Sequence, residues 1–289
     1  MRLRGRACII TGATRGLGRQ IALRFWEEGA SLLLAGRDPV ELQTLSDSIT
    51  SPRYEGQKLA VALCDLSEPA AALDLVGRAT SEFESVTALV NNAATLGPIG
   101  PLWMNKINDW ENTIRVNLLA PVALCQLLIP HMHKCGYGKI VNLSGGGATG
   151  PRPYFSAYAT AKAGLVRFTE VLAHELRNVD IDVNCIAPGV MQTGMLDEIL
   201  EAGPDRVGAG EHARAQQQAA QSSKTLERAS ELAAFLVSSQ SDGISGRLIS
   251  AVWDAWEELP QRKAILEETD IYTLRRIVPK DRGLDWGKD

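Results

Sequence analysis

The 289-residue sequence has no strong excess of either charge and no long apolar run. Its 34 acidic and 30 basic residues give a formal net charge of -4, so no overall basic field favours nucleic acid. No run approaches the ~18 apolar residues of a membrane span, and the apolar stretch near the N-terminus is too short for a signal peptide. We therefore expect a cytoplasmic protein with neither a nucleic-acid partner nor a membrane partner.

Cysteine is scarce as well. The five cysteines are Cys8, Cys64, Cys125, Cys135 and Cys185. An odd, scattered set of this kind is typical of reduced thiols rather than a disulfide framework. His131 and His133 lie close to Cys135 in the sequence, but no fourth ligand of suitable spacing is in view, so we expect no metal.

Apolar runs typical of buried strands alternate with helical segments from the N-terminus to about residue 190. Hydrophobic residues make up 45% of the chain, which is enough for a full core. The alternation predicts a parallel sheet of about seven strands with helices on both faces, in a single doubly wound α/β domain. We expect this domain to span residues 1–253, followed by a C-terminal extension over residues 254–289.

A glycine turn follows the first predicted strand directly. Gly12, Gly16 and Gly18 lie between an apolar strand at residues 6–12 and a helix that begins near Arg19. Backbone N–H groups at such a turn, together with the positive end of the helix dipole, favour a pyrophosphate. The spacing G-x-x-x-G-x-G differs from the commoner G-x-G-x-x-G fingerprint, and a purely structural turn is the alternative.

The second predicted strand ends in a cation, Arg37. At this point of a dinucleotide-binding fold a carboxylate holds the ribose 2′-hydroxyl, whereas an arginine accepts a 2′-phosphate. Arg15, in the glycine turn, could converge on the same phosphate. Asp38 either binds the ribose or caps the next helix, and Asp65, after the third strand, either contacts adenine or caps a helix. The two arginines favour NADP over NAD, with NAD possible.

Three asparagines and one serine occupy positions where polar side chains need partners. Asn91 and Asn92 follow the fourth predicted strand, where they can fix the neighbouring loop or the cofactor. Asn117 interrupts a long predicted helix, residues 108–134, and either kinks it around a bound water or faces solvent. Ser144 follows the fifth strand, at the edge where open α/β sheets bind their ligands.

Tyr158 and Lys162 are four residues apart in a predicted helix, so both side chains lie on one helix face. A cation beside a phenol stabilises the phenolate and lowers its pKa from the usual ~10 toward the range of a general acid or base. The pair could therefore move a proton to or from a substrate oxygen. A surface pair on an ordinary amphipathic helix is the alternative.

Together these motifs resemble the classical short-chain dehydrogenase/reductase family over roughly residues 4–252. Thr11 with the glycine turn matches its TGxxxGxG motif, and Asn117, Tyr158 and Lys162 fall on three members of its Asn-Ser-Tyr-Lys tetrad. The further matches are Asn91-Asn92-Ala93-Ala94, similar to the NNAG motif, and Pro188-Gly189 with Thr193, similar to the PG motif and the threonine that contacts the nicotinamide amide.

The resemblance implies a Rossmann-type oxidoreductase that transfers a hydride between nicotinamide and a small carbonyl compound or secondary alcohol. Tyr158 would be the general acid or base, Lys162 would hold the nicotinamide ribose and lower the Tyr158 pKa, and Asn117 would hold a water. Family members are commonly dimers or tetramers, which implies a homodimer or homotetramer. The predicted cofactor-binding residues are Gly12, Arg15, Gly16, Leu17, Gly18, Arg37, Asp65, Leu66, Asn92, Ala93, Tyr158, Lys162, Pro188, Gly189 and Thr193.

The chain departs from the family pattern at the serine. Where many members carry it, thirteen residues before Tyr158, stands Gly145, and Ser144 is the neighbour. Because side chains alternate along a strand, Ser144 serves only if the following glycines bend the backbone. Otherwise Ser156 or Tyr154 substitutes, or the site lacks the donor. The last case leads to the alternative function, a catalytically weak or inactive NADP-binding regulatory or scaffold protein.

Two regions carry no motif. Residues 195–223 are polar, and a segment of this length between core elements either covers a site or is mobile. Residues 254–289 include Trp256, Tyr272 and Trp286, and aromatic residues are enriched at interfaces. We expect this tail to pack on a partner subunit or over a substrate cleft; the alternative is a loosely held surface extension.

Overall fold

The computed structural model describes residues 1–49, 51–219 and 224–286, and its centre is one parallel sheet. The strands are β1 (Ala7–Thr11), β2 (Ser31–Gly36), β3 (Leu59–Leu63), β4 (Ala88–Asn91), β5 (Gly138–Leu143), β6 (Ile181–Ala187) and β7 (Leu248–Ser250). Their order is β3-β2-β1-β4-β5-β6-β7, so the chain starts in the middle and winds outward in both directions. The predicted doubly wound, seven-stranded α/β fold is confirmed.

Helices connect the strands and cover the sheet. They are α1 (Gly16–Glu27), α2 (Pro39–Ser48), α3 (Ala71–Glu82), α4 (Ile107–Ile114), α5 (Ala120–Cys135), α6 (Ser156–Glu175), α7 (Gly194–Ala202), α8 (Pro204–Val207), α9 (Ala209–Ala219), α10 (Thr225–Val237) and α11 (Lys263–Glu268). Cys8 and Ile10 of β1 pack in a core with α1 and α10, whereas Ile9 packs in a second core with α3, α5 and α6. Successive side chains of a strand point to opposite faces, so both faces of the sheet are buried.

The long helix predicted over residues 108–134 is interrupted. A π-helical turn, Arg115–Leu119, separates α4 from α5 and contains Asn117, which is fully buried. A buried asparagine in this turn excludes the solvent-facing alternative. Single π turns in α-helices frequently occur at functional sites.

The segment Ile107–Cys135 is long and apolar enough to cross a membrane by length and composition. This finding corrects the expectation that no segment approaches a membrane span. Leu124, Leu128 and Met132 of this segment are buried in the core against α3 and the sheet. A core helix of this kind passes the same test, so the finding is weak evidence for a membrane.

The polar segment after β6 forms three helices, α7, α8 and α9, which we call the cover segment (residues 194–219). Leu196, Ile199 and Ala215 of this segment pack in a small core with Phe155 and Tyr158. The cover segment therefore lies over the carboxyl ends of β4 to β6, as expected for a segment that covers a site. Residues 220–223 of the predicted segment lie outside the described residues.

The tail packs on its own chain. Trp256 is buried against Phe235 of α10, with ring centroids 5.4 Å apart. The Leu248 N–H donates to the Tyr272 carbonyl over 2.8 Å, which places the tail along the open edge of β7. No described residue beyond 253 lines the cleft at the carboxyl ends of the strands, so the expectation that the tail covers a cleft is wrong for the described residues. The domain boundary at residue 253 stays a prediction.

Candidate active site

The carboxyl ends of the strands open on a cleft of about 900 Å³. The predicted site residues that line it are Gly12, Arg15, Gly16, Leu17, Arg37, Asp65, Leu66, Asn92, Ala93, Ser144, Tyr158, Lys162, Pro188, Gly189 and Thr193. Gly18 and Asn117 are the two predicted residues that do not line it, and both lie behind residues that do. The structure therefore brings segments from both halves of the sheet to one cavity.

The glycine turn has no room for side chains. Gly12 and Gly16 have φ of +61° and +53°, a conformation that favours glycine. A Cβ at Gly12 would lie 2.8 Å from the Ala93 Cα, and a Cβ at Gly18 would overlap the Gly12 carbonyl oxygen. No side chain caps the start of α1, which leaves its first backbone N–H groups facing the cleft. This cradle fits a pyrophosphate.

Asparagine side chains fix the loops beside this turn. The Asn92 Nδ2 donates to the carbonyls of Thr11 and Gly12, both over 3.0 Å, while the backbone N–H groups of Asn92 and Ala93 donate to the Thr11 hydroxyl. Asn91 donates to the Asn142 carboxamide of β5 over 2.8 Å. The expectation that these asparagines have partners is met, with a structural role for each.

Arg15 and Arg37 both line the cleft and are exposed; Arg15 Nη1 lies 3.7 Å from a Cβ built at Gly194, whereas Arg37 lies near Asp65. Asp38 caps α2 by accepting from the N–H groups of Val40 and Glu41, so its capping role is the one observed. Asp65 accepts hydrogen bonds from Ser67, and these bonds lower its pKa, with a smaller contribution from the nearby Arg37 charge.

Asn117 holds the loop after β4. Its Oδ1 accepts from the Thr95 N–H over 2.9 Å, and its Nδ2 donates to the Thr95 carbonyl over 2.8 Å. Since Thr95 lines the cleft, the carboxamide acts on the site through this loop. The two bonds also account for both ends of a buried amide that would otherwise be costly.

Tyr158 and Lys162 lie together on α6, both buried. The Lys162 Nζ donates to the Leu143 carbonyl over 2.7 Å and lies 5.8 Å from the centre of the Tyr158 ring. Burial lowers the pKa of Lys162 to about 8. Burial raises the pKa of Tyr158, and the cation that opposes this rise is Arg152. The Lys162 ammonium is directed to a carbonyl, and its predicted effect on the Tyr158 pKa in the presence of a cofactor stays a prediction.

Position 145 faces the tyrosine. A Cβ at Gly145 would overlap the Tyr158 hydroxyl and lie 2.9 Å from Cζ, so the phenol occupies the space of a side chain. The Ser144 hydroxyl is buried without a hydrogen-bond partner among the described residues. It lies near the Cys185 thiol, whose pKa burial raises to about 12 while Lys162 and neighbouring hydroxyls partly oppose the rise. Ser144 thus lies beside Cys185 of β6, on the side of the sheet that packs against α6.

The two substitute hydroxyls are engaged elsewhere. Ser156 accepts a 3.3 Å hydrogen bond from the Trp110 indole, and Tyr154, with φ of +70°, packs against Gly208 of the cover segment. Neither residue lines the cleft. Of the three candidate hydroxyls only Ser144 lines the cleft, and its catalytic role stays a prediction.

Pro188, Gly189 and Thr193 line the cleft on the side that faces the glycine turn. Gly189 has φ of +83°, and a Cβ at Gly16 would lie 3.1 Å from the Thr193 methyl group, so Thr193 lies against the glycine turn.

The histidines considered for metal binding lie away from the cleft; His131 Nε2 accepts the Val86 N–H over 3.0 Å. Among the described residues no group of three or more His, Cys, Asp or Glu side chains could hold a metal ion.

Sequence reasoning missed Arg152. This half-buried residue lines the cleft between β5 and α6, and its guanidinium pairs with Glu211 of α9. Both partners are polar residues in segments without a recognisable motif, and 59 positions separate them. The one signal in the sequence was that Arg152 lies a few residues before Tyr158.

The sheet order, the glycine cradle at β1 and the cleft at the strand ends define a nucleotide-binding protein of the Rossmann type. Comparison with known proteins gives the family. The model described as "short chain dehydrogenase" matches residues 6–203, and this chain belongs to the short-chain dehydrogenase/reductase family of oxidoreductases.

Individual relatives agree with this membership. The (2S)-[(R)-hydroxy(phenyl)methyl]succinyl-CoA dehydrogenase subunit BbsD of Thauera aromatica is 35% identical over 204 residues, 70% of this chain and 79% of the relative. A 3-oxoacyl-[acyl-carrier-protein] reductase of Thermotoga maritima is 30% identical over 201 residues, 70% of this chain and 80% of the relative. A short chain dehydrogenase from Burkholderia cenocepacia in complex with NADP superposes with a TM-score of 0.73 at 28% identity, covering 86% of this chain and 97% of that one.

Proposed function

We propose that the protein is an NADP(H)-dependent oxidoreductase that interconverts a small carbonyl compound and a secondary alcohol, with Tyr158 as the general acid or base. The observation that carries the proposal is the arrangement of one cleft. A glycine cradle, Arg15 and Arg37 line it together with the buried Tyr158. A dinucleotide has a charged end and a reactive end, and the cleft is matched to both.

NADP(H), when bound, supplies the hydride. The backbone N–H groups of Gly12, Arg15, Gly16 and Leu17 would hold its pyrophosphate, with Gly18 keeping α1 close to β1. Asp65 and Leu66 would lie at the adenine, Asn92 and Ala93 along the ribose side, and Pro188, Gly189 and Thr193 at the nicotinamide amide. Lys162 would hold the nicotinamide ribose, and Asn117 would keep the loop at Thr95 in place.

In the direction of reduction, the proton on the Tyr158 hydroxyl passes to the substrate oxygen as negative charge develops there. The resulting tyrosinate regains a proton from solvent. A raised Tyr158 pKa suits a proton donor only partly, since it makes the tyrosinate less stable. The nearby cations therefore have to stabilise that negative charge when substrate and cofactor are in place.

Arg15 and Arg37 support the choice of NADP over NAD, because a 2′-phosphate offers each arginine a charged partner. The names of relatives include both cofactors. The Burkholderia cenocepacia structure contains NADP, whereas a Sphingomonas relative is a 2-dehydro-3-deoxy-L-rhamnonate dehydrogenase (NAD(+)). NAD stays possible on these grounds.

The test replaces the hydroxyl alone. Tyr158→Phe should abolish turnover of aldehydes, ketones and alcohols while NADPH, followed by its fluorescence, binds nearly as tightly as to the wild-type protein. Turnover retained in Tyr158→Phe would refute the proposal. Phenylalanine keeps the packing in the small core with Leu196 and Ile199, so the variant isolates the chemistry.

A second function is favoured by Gly145 and by the orphaned Ser144 hydroxyl. It is a catalytically weak or inactive NADP-binding protein with a regulatory or scaffold role. Under this hypothesis NADPH would raise the melting temperature, yet the wild-type protein would neither oxidise nor reduce a broad panel of alcohols, aldehydes and ketones. Steady turnover of any of them would reject it.

We also propose a homodimer or homotetramer in the cytoplasm, without a nucleic-acid or membrane partner. The support is membership of a family whose members commonly associate in this way. Light scattering of the purified protein measures the assembly directly. A monomer at micromolar concentration would contradict the proposal.

A further inference from the structure

Arg152 is the cleft cation nearest to the tyrosine ring from outside α6. Its guanidinium carbon lies 4.0 Å from the centre of the Phe155 ring and 5.9 Å from the centre of the Tyr158 ring. Stacking on Phe155 fixes the plane of the group, and the cover segment limits its exposure. Arg152 is therefore held in place rather than extended into solvent.

Only one side of this guanidinium is engaged. Nε and Nη2 both donate to Glu211 Oε1, over 2.9 Å and 2.5 Å. Nη1 makes no hydrogen bond within the described part of the chain. It is the atom nearest to a Cβ built at Gly146, at 3.5 Å. The free N–H groups of Arg152 thus lie over the glycine run after β5.

Two neighbouring glycines contact these two groups, the phenol and the guanidinium. Gly145 faces the Tyr158 hydroxyl and Gly146 faces Arg152 Nη1. Because neither residue has a side chain, nothing of the run itself stands between phenol and guanidinium. Since Arg152 Cζ lies 5.9 Å from the centre of the Tyr158 ring, a substrate oxygen that accepts from Tyr158 would lie near the guanidinium.

The other donors near the site lie beside different groups. Ser144 faces Cys185, Ser156 accepts from Trp110, and the Lys162 ammonium donates to the Leu143 carbonyl. The charged groups around the Tyr158 hydroxyl are Lys162 on its own helix, Arg152 before it, and Glu211 and Arg214 of the cover segment at the cleft wall. Of these, Arg152 combines a free N–H, a positive charge and a place beside the phenol.

We propose that Arg152 is a catalytic residue that donates a hydrogen bond from its free side to the reacting oxygen, in place of a serine hydroxyl at position 145. This inference rests on the proposed function. As hydride adds to the carbonyl carbon, the C=O π pair moves to oxygen, and Tyr158 transfers its proton there. Arg152 stabilises the developing charge by its hydrogen bond and its field.

The Tyr158 hydroxyl benefits in the same way. Arg152 opposes the rise that burial causes in the Tyr158 pKa, so removal of the cation leaves the tyrosinate less stable. The pH dependence of turnover should therefore change when Arg152 is removed, through the pKa of Tyr158.

The experiment uses two probes that differ in charge, 4-nitrobenzaldehyde and 4-carboxybenzaldehyde, with NADPH. Arg152→Ala should lower kcat on both by about a hundredfold to a thousandfold, the usual loss on removal of one donor to an oxyanion. In a plot of kcat against pH, it should also move the change that reports Tyr158 to higher pH. Arg152→Lys, which keeps the charge, should restore the position of that change but only part of kcat. Arg177→Ala removes an exposed arginine beyond α6 and is the matched control.

The outcomes separate the inference from the proposed function. A wild-type protein that reduces neither probe nor the wider panel defeats both. An active wild type with Arg152→Ala as active as Arg177→Ala defeats the inference alone. A rise in KM confined to 4-carboxybenzaldehyde would also overturn it and make Arg152 a carboxylate-binding residue. If Arg152→Ala does not fold, an unshifted pH dependence together with an unchanged kcat in Arg152→Lys overturns the inference instead.

Discussion

The two ends of the cleft are built in different ways. At the cofactor end the backbone makes the site, through the turn from Gly12 to Gly18 and the strand end at Asn92, and each piece is continuous in sequence. At the substrate end side chains make the site, and the Arg152–Glu211 pair joins residues 59 positions apart. The first end tolerates almost no added atom, whereas the second depends on which charges meet. Four substitutions test this difference, from the largest expected effect to the smallest.

Gly18→Ala should have the largest effect, because its methyl group has no space. The Cβ would overlap the Gly12 carbonyl oxygen and meet the Asn92 amide, so α1 must move away from β1. We expect a loss of about 1–3 kcal/mol in the free energy of unfolding, measured in urea, and loss of NADPH binding. Gly77→Ala is the control, since an exposed glycine of α3 has nothing within 4 Å of its Cβ. Equal stability of both variants would contradict the close packing.

Gly145→Ser carries the same steric test to the substrate end. The added Cβ would displace the Tyr158 hydroxyl, so we expect kcat to fall about tenfold or more while NADPH binding changes little. Gly150→Ser, in the same loop and with nothing within 4 Å of its Cβ, should leave kcat unchanged. A gain of activity in Gly145→Ser would mean that the tyrosine can move and that a hydroxyl at this position is useful.

Arg37→Ala tests whether the cofactor end also depends on charge. Only NADPH carries the 2′-phosphate, so loss of this cation should weaken NADPH roughly tenfold to hundredfold and leave NADH nearly unaffected. Arg19→Ala, an exposed arginine of α1 that does not line the cleft, is the matched variant for fluorescence titration. Equal weakening of NADPH and NADH would remove the NADP assignment.

Lys162 gives the narrowest effect, a dependence of stability on pH that appears only above pH 8. Burial holds its pKa at about 8 in the folded protein, against 10.5 ordinarily. Between these values the unfolded chain binds a proton that the folded chain does not, so stability rises with pH. Relative to Lys162→Met, the wild-type free energy of unfolding should rise from pH 8 to 10.5 and stay level below pH 8. If the difference in free energy of unfolding between the wild-type protein and Lys162→Met did not change with pH, the ammonium would be well solvated.

The cofactor end could be predicted from the sequence because its information is local. A strand, a glycine turn and a helix are fixed by consecutive residues, and the alternation of strands and helices predicted the sheet that the structure confirms. Tyr158 and Lys162 were found for the same reason, since one helical turn relates them. Their roles in catalysis stay a prediction.

The substrate end could not be predicted because it depends on tertiary contacts. The direction of the Ser144 hydroxyl and the Lys162 bond to the Leu143 carbonyl follow from how β5 meets α6. The sign of the Tyr158 pKa shift follows from burial under the cover segment, which sequence spacing does not express. The Arg152–Glu211 pair requires a loop and a helix without motifs to meet.

The hydrogen bond from the Leu248 N–H to the Tyr272 carbonyl has a consequence for solubility. An edge strand with free backbone groups is a template on which strands of other molecules add. The tail lies along β7 and buries Trp256 against α10, so it covers this edge of the sheet. A chain cut after residue 253 would present both an open edge and an uncovered apolar surface, and we expect it to aggregate where the whole chain stays dispersed.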